Sequence, residues 1–163
     1  MKEGLGDKKF SAPEKVATID QNGCIYIPHV LGVQVGQKIE ILNSDGTLHN
    51  VHAMPKKKNN DAFNEAMPGA RKKVTKQFDE AEVMVKMKCD VHPWMGAFIG
   101  VLDHPFFSVT DDKGNFEIEN LPPGTYTVEA WHERLPAQVV TVTVKADGDA
   151  TADFILKRPP KKK

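Results

Sequence analysis

Cysteine is scarce in this chain, with two residues in 163, Cys24 and Cys89. No C-x-x-C-H run is present, which excludes a c-type haem attachment. No excess of charge of one sign exists either: 22 basic residues meet 22 acidic ones. A zero balance gives no ground for a nucleic-acid binder or a membrane-surface protein. Long hydrophobic runs are missing, since no window approaches the ~20 apolar residues of a membrane span. Met1-Lys2-Glu3-Gly4 does not begin a secretory signal. The chain as given is expected to be soluble, and Met1 fits a native start as well as a start after a removed upstream segment. There is no internal repeat at a fixed period, and so no solenoid or propeller.

What is present suits one ordinary domain or two small ones, with 40% apolar residues to build a core. Charge is uneven locally. Residues 54–88 carry nine Lys/Arg against five Asp/Glu, whereas 103–156 carry three against ten. Apolar residues alternate with period two, which predicts an all-β protein. The expected strands are 24–28, 38–43, 83–88, 98–102, 115–119, 125–131, 138–144 and 152–156. Asp112-Lys113-Gly114-Asn115 and Leu121-Pro122-Pro123-Gly124-Thr125 are turn signals that would pair strands into hairpins. Residues 54–77 lack alternation and read as a long loop, with room for a short helix near 61–65.

The chemistry concentrates in Cys89-Asp90-Val91-His92-Pro93-Trp94-Met95, which places a thiolate, an imidazole and a thioether within seven residues. Upstream, His49-Asn50-Val51-His52 supplies a second imidazole. Singly, a strand cysteine is more often a small buried hydrophobe, and a lone histidine more often a core or surface residue. Together, two imidazoles, one thiolate and a weak axial thioether form the ligand set of a blue-copper electron-transfer site. Zinc is the main competitor, but Met95 suits it poorly and no second cysteine lies near Cys89. A dinuclear copper centre would need two thiolates in the loop. Strand alternation puts Val83, Val85, Met87 and Cys89 on one face, directed into the core, with Lys86 and Lys88 in solvent. His52, His29, His104 and His132 are read as non-ligands. His132-Glu133, at a strand end, could instead reach another domain or a proton-coupled partner. Without H-x-H or H-C-H runs or a nucleophile–base set, catalysis by this chain is not expected.

His49-Asn50-Val51-His52 with Cys89-x-x-His92-Pro93-x-Met95 resembles the cupredoxins, most of all the amicyanin and plastocyanin group. Gly36, Asn43 and Ile25-Tyr26-Ile27-Pro28 are similar to the strands preceding the first ligand there. The resemblance implies a Greek-key sandwich over 15–103 and one type 1 copper held by His49, Cys89, His92 and Met95. It also implies that Asn50 ties the two ligand loops together. The electron would leave through the edge of His92, with Met54, Pro55, Pro93 and Trp94 as an apolar docking surface. Lys56, Lys57, Lys58, Arg71, Lys72 and Lys73 could surround that surface and steer an acidic partner.

Residues 108–128, from Ser108-Val109-Thr110-Asp111 to Tyr126-Thr127-Val128, resemble the carboxypeptidase regulatory-like, transthyretin-like module. That implies a smaller, incomplete β-sandwich over 104–156, preceded by an N-terminal segment (1–14) and followed by a basic tail (157–163). The combination is similar to periplasmic plastocyanin-like and methylamine utilisation proteins, and implies a periplasmic or extracytoplasmic location. The partner implied is a redox protein such as a cytochrome or a respiratory or dehydrogenase complex. Cys24 is either half of a lost disulfide or a buried free thiol. Two functions follow: an electron carrier, or a non-redox β-sandwich interaction subunit with a structural or vestigial copper site.

Overall fold

The computed structural model describes residues 1–70 and 73–159. Arg71, Lys72 and the last four residues of the basic tail lie outside them. Among the described residues there is no helix, and eleven strands form three sheets. The strands are β1 (Ala17–Gln21), β2 (Tyr26–Ile27), β3 (Val30–Gln34), β4 (Ile39–Asn43), β5 (His49–Met54), β6 (Phe63–Met67), β7 (Lys73–Lys76), β8 (Glu82–Lys88), β9 (Gly96–Leu102), β10 (Gly124–Ala130) and β11 (Gln138–Val144). The chain is all-β, and no helix among the described residues is long and apolar enough to cross a membrane.

Two compact units result. The larger is Lys9–Phe116; the smaller joins Met1–Lys8 to the chain from Glu117 onward. These extents differ from the ranges expected from sequence. Lys2 and Glu3 hydrogen-bond the backbone of Thr127 and so join the segment 1–8 to β10.

In the larger unit the sheets β2-β1-β4-β7 and β3-β9-β8-β5-β6 enclose one core. Alternation builds it: Ile39 and Ile41 from β4 meet Val51 and Ala53 from β5, Val85 and Met87 from β8, and Ala97, Ile99 and Val101 from β9, all fully buried. Each of the Val, Ile and Met side chains among them contributes ~1.5–3 kcal/mol on burial. β1 runs parallel to β4 and β3 parallel to β9, while β5, β8 and β9 pair antiparallel.

Several expectations are corrected. The stretch 54–77 is not one loop but holds β6 and β7, and the short helix expected near 61–65 is replaced by β6, whose backbone pairs with β5. Phe63 and Met67 turn inward with polar Asn64 and Glu65 between them, too short a pattern to read against the Lys- and Asn-rich flanks. Val83 is exposed rather than buried, because a bulge between Glu82 and Val85 shifts the register and turns Glu82 inward. From Val85 to Cys89 the expected alternation is present. Residues 115–119 and 152–156 form no strand, and the backbone of Ile155 instead meets the side chain of Gln138 in β11.

In the smaller unit β10 and β11 form a hairpin, with Thr125 Oγ1 and Thr143 Oγ1 3.1 Å apart across it. The Tyr126 hydroxyl donates to the carbonyl of Pro122 at 2.7 Å and closes the Pro-Pro-Gly turn. The other expected turn forms in the larger unit, where Asp111 accepts from the backbone N–H groups of Lys113 and Asn115.

Candidate metal centre

Three connections converge at one end of the larger unit. The register Gln21↔Asn43 sets the β1–β2 turn beside the β4–β5 connection. The pairs His52↔Lys88 and Lys88↔Gly96 bring the start of β5 next to the β8–β9 loop. The β8–β9 loop closes on itself: Met95 N–H donates to His92 O at 2.9 Å, and Cys89 N–H donates to Met95 O at 3.2 Å. This folds residues 89–95 into a tight hairpin and turns Cys89 and Met95 into the core, 2% and 1% exposed.

His49 is fully buried. Its Nδ1 stands 3.0 Å from Nδ1 of His92, and the Cys89 sulfur lies 3.8 Å from the same His92 nitrogen. His49 Nε2 lies 2.8 Å from Asp45 Oδ2. Hydrogen bonds from the backbone N–H groups of Cys24 and Gly23, and then from His49, push the Asp45 carboxyl down to about 2. An ionised carboxylate only accepts, so His49 Nε2 carries the proton in this contact and, in the neutral ring, Nδ1 keeps its lone pair. Carboxylate–imidazole pairs of this kind fix the orientation of a metal-binding histidine.

Asp45 reaches His49 because Asn43 shapes the connection. The Asn43 amide donates to Thr47 O at 3.1 Å and Met67 O at 2.7 Å, while its oxygen accepts from Asp45 N–H at 3.1 Å. Gly69 supports this turn by close approach: a Cβ there would come within 2.6 Å of the Gly46 carbonyl oxygen.

Asn50 links the start of β5, which carries His49, to the β8–β9 loop. Its oxygen accepts from Asp90 N–H, and its amide donates to Asn64 Oδ1 and, at 3.1 Å, to Asp90 Oδ2. Asp90 Oδ2 also meets His52 Nδ1 at 2.9 Å and Asn64 Nδ2 at 2.8 Å. The Lys88 ammonium, then His52 and the two asparagine amides, hold the Asp90 carboxyl well below the usual carboxylate range. Beneath this network the Tyr26 hydroxyl shares its one proton between the carbonyls of Asn50 and Lys88, at 3.0 and 3.1 Å, and staples β5 to β8. Burial, with Cys89 and Asp90 nearby, pushes that phenol well above its ordinary value.

A second sulfur stands at the same place. Cys24, His49 and His92 each present a ligand atom, all within 4.8 Å of one another. Gly23 and Cys24 have φ of 67° and 56°, the positive pair that type I′ hairpin turns demand. A non-glycine residue in this region carries a penalty of roughly 1–2 kcal/mol. Asp45 holds the turn, accepting from Gly23 N–H at 2.9 Å and Cys24 N–H at 3.0 Å. Trp94 Nε1–H donates to the Cys24 carbonyl at 3.0 Å.

The remaining expected site residues divide. Pro93 and Trp94 are exposed beside His92, with the Trp94 ring centroid 5.2 Å from that of His92. Met54 is corrected: it ends β5, five residues from His49 and so ~17 Å along the strand. Lys56 and Lys57 follow at that far end, where their backbone N–H groups bind Glu82, and Lys73 pairs with Glu40 at 2.7 Å. His52 faces Asp90, His29 Nδ1 contacts Gly96 O, and the Nδ1 atoms of His104 and His132 accept from local backbone.

The sequence model of the carboxypeptidase regulatory-like domain family matches residues 90–157. Among proteins with curated functions, none matches the chain. Solved structures similar to it include a mutant of amicyanin in its Cu(I) form, at 22% identity and TM-score 0.47, covering 61% of this chain and 96% of that one. A purple cupredoxin from Nitrosopumilus maritimus is also 22% identical with TM-score 0.43, covering 52% and 98%. A copper-containing nitrite reductase from Thermus scotoductus SA-01 is 18% identical with TM-score 0.47, covering 60% of this chain and 26% of its own. The chain's structural neighbours are thus amicyanin and other cupredoxins, and part of it matches a carboxypeptidase regulatory-like domain.

Proposed function

We propose that this chain is a type 1 copper electron carrier with His49, Cys89, His92 and Met95 as ligands. The observation that carries the reading is the facing pair of imidazole nitrogens, His49 Nδ1 and His92 Nδ1, with the buried Cys89 sulfur beside them. Two imidazoles and a thiolate suit copper, with Met95 as the weak axial donor. Bound there, copper supplies one-electron chemistry.

The chain's own part is to hold the donors still and let one of them reach the surface. Asp45 fixes the ring of His49, and Asn50 and Asp90 fix the loop, so the donor set is held by hydrogen bonds that do not depend on the metal. His49 is sealed in, whereas His92 is half-buried. Leu48, Val91 and Trp94 are chain neighbours of the two imidazoles and are 46%, 46% and 68% exposed. Exposed apolar side chains next to both imidazoles in the chain, with Trp94 against the ring of half-buried His92, suit brief docking of a redox protein, a cytochrome or a respiratory or dehydrogenase complex, in an extracytoplasmic compartment. The role is transfer rather than catalysis.

A second reading draws on the match to a carboxypeptidase regulatory-like domain over 90–157. In it the chain is a non-redox interaction subunit with a structural copper. Adding Cu(II) to the purified protein separates the two. The carrier gives an intense red-region thiolate-to-copper absorption that bleaches reversibly with reductant and leaves the red region in Cys89→Ala. A colourless copper-loaded protein contradicts it.

A further inference from the structure

We propose that Cys24 is a second thiolate donor of the metal centre, able to hold a soft cation together with His49 and His92. The inference rests on the proposed role of the two imidazoles but not on Cys89. Three observations carry it. Cys24, His49 and His92 bring one donor atom each within 4.8 Å of one another. In a tetrahedral set with metal–sulfur near ~2.3 Å and metal–nitrogen near ~2.0 Å, donor atoms sit about 3.5 Å apart, so side-chain rotations of the order of an ångström close the group.

Cys24 also occupies left-handed backbone, φ 56°, where glycine or asparagine would sit at ease. An outlier maintained by its surroundings points to a use for the side chain. Those surroundings are the metal centre's own supports. Asp45 takes the N–H of Cys24 on the oxygen that meets His49 Nε2, and Trp94, in ring contact with His92, takes the Cys24 carbonyl. The turn carrying Cys24 is therefore keyed to both imidazoles.

The thiol is half-buried, unlike Cys89, and neither cysteine forms a disulfide. A thiolate that is better exposed, sharing two imidazoles with a sealed one, suits capture of an incoming cation before it reaches Cys89.

Co(II) titration of the full chain tests this, because thiolate-to-cobalt charge transfer appears in the near-ultraviolet. In Cys89→Ser the band is expected to persist, and in Cys24→Ser/Cys89→Ser to vanish. A Cys89→Ser protein that folds by circular dichroism and binds Co(II) without the band overturns the inference. It leaves the copper reading intact if the wild type still shows the Cys89-dependent band. If the wild type shows no thiolate band, both fail. Where Cys89→Ser does not fold, alkylation of the wild type decides: Cu(I) loading is expected to protect Cys24 from iodoacetamide at least tenfold. Equal alkylation of loaded and metal-free protein overturns the proposal.

Discussion

The two ends of the β5–β8 pair are built alike and hold different things. At the far end the inward-turned Glu82 gathers the backbone N–H groups of Lys56 and Lys57, at 2.7 and 3.1 Å, and the amide of Asn60 at 3.2 Å. At the near end Asp45 gathers Gly23, Cys24 and the ring of His49, and Asp90 gathers His52, Asn50 and Asn64. Both ends use a carboxylate to satisfy donors that loops would otherwise leave unpaired. Only the near end also brings a cysteine sulfur and two imidazole nitrogens together, His49 Nδ1 3.0 Å and Cys89 Sγ 3.8 Å from His92 Nδ1. The same device pins a loop in one place and orients a histidine ring and a ligand-competent loop in the other.

That contrast can be broken from either side. Asp45→Asn should have the largest effect, lowering copper affinity by roughly 10–100-fold, because the ring of His49 loses its carboxylate partner. Competition with a chelator measures it, and Glu82→Gln in the same assay should leave affinity unchanged. Asn50→Ala should follow, costing ~2 kcal/mol in urea unfolding, since it strips the partner from the Asp90 N–H and frees β5 from the β8–β9 loop.

Glu82→Gln should cost about 1.5–2 kcal/mol near neutral pH without disturbing the metal centre. Its pH dependence has a definite sign. Burial opposes ionisation of Glu82, but the N–H groups of Lys56 and Lys57 and the amide of Asn60 outweigh it, holding the carboxyl below its ordinary 4.5. A carboxyl with a lowered folded-state value contributes stability that is complete above 4.5 and lost as pH falls through the folded value. The gap between wild type and Glu82→Gln should therefore be constant above about pH 5.5 and shrink below about pH 4.5. A gap that widens in acid would contradict this assignment.

Cys24→Asn should have the smallest effect and the opposite direction. Asparagine tolerates positive φ, so thermal unfolding of the metal-free protein should shift upward by a few degrees, about 1 kcal/mol. Unchanged or lower stability would show that the left-handed turn is not strained by cysteine.

Much of the near end is legible in the sequence because its donors announce themselves by spacing. Cys89, His92 and Met95 lie in one short loop, and the alternation of Val85, Met87 and Cys89 marks the core face. Asp45 is not legible, because it reaches His49 through a turn set by Asn43 and by the Gly46–Gly69 approach, neither of which leaves a periodic trace. Cys24 is hidden for a related reason: its nearness to the imidazoles depends on the β1–β4 register, a pairing across some twenty residues. Met54 shows the converse, since closeness in sequence to His49 becomes distance along an extended strand. Val83 faces outward because of one bulge, as a single inserted residue inverts every facing assignment before it.

X-ray absorption at the copper edge of the loaded protein tests the central claim most directly. The expected first shell is two imidazole nitrogens and one short sulfur, with the sulfur lost in Cys89→Ala when Cys24 is also replaced. A shell of oxygen and nitrogen alone in the wild type would contradict it.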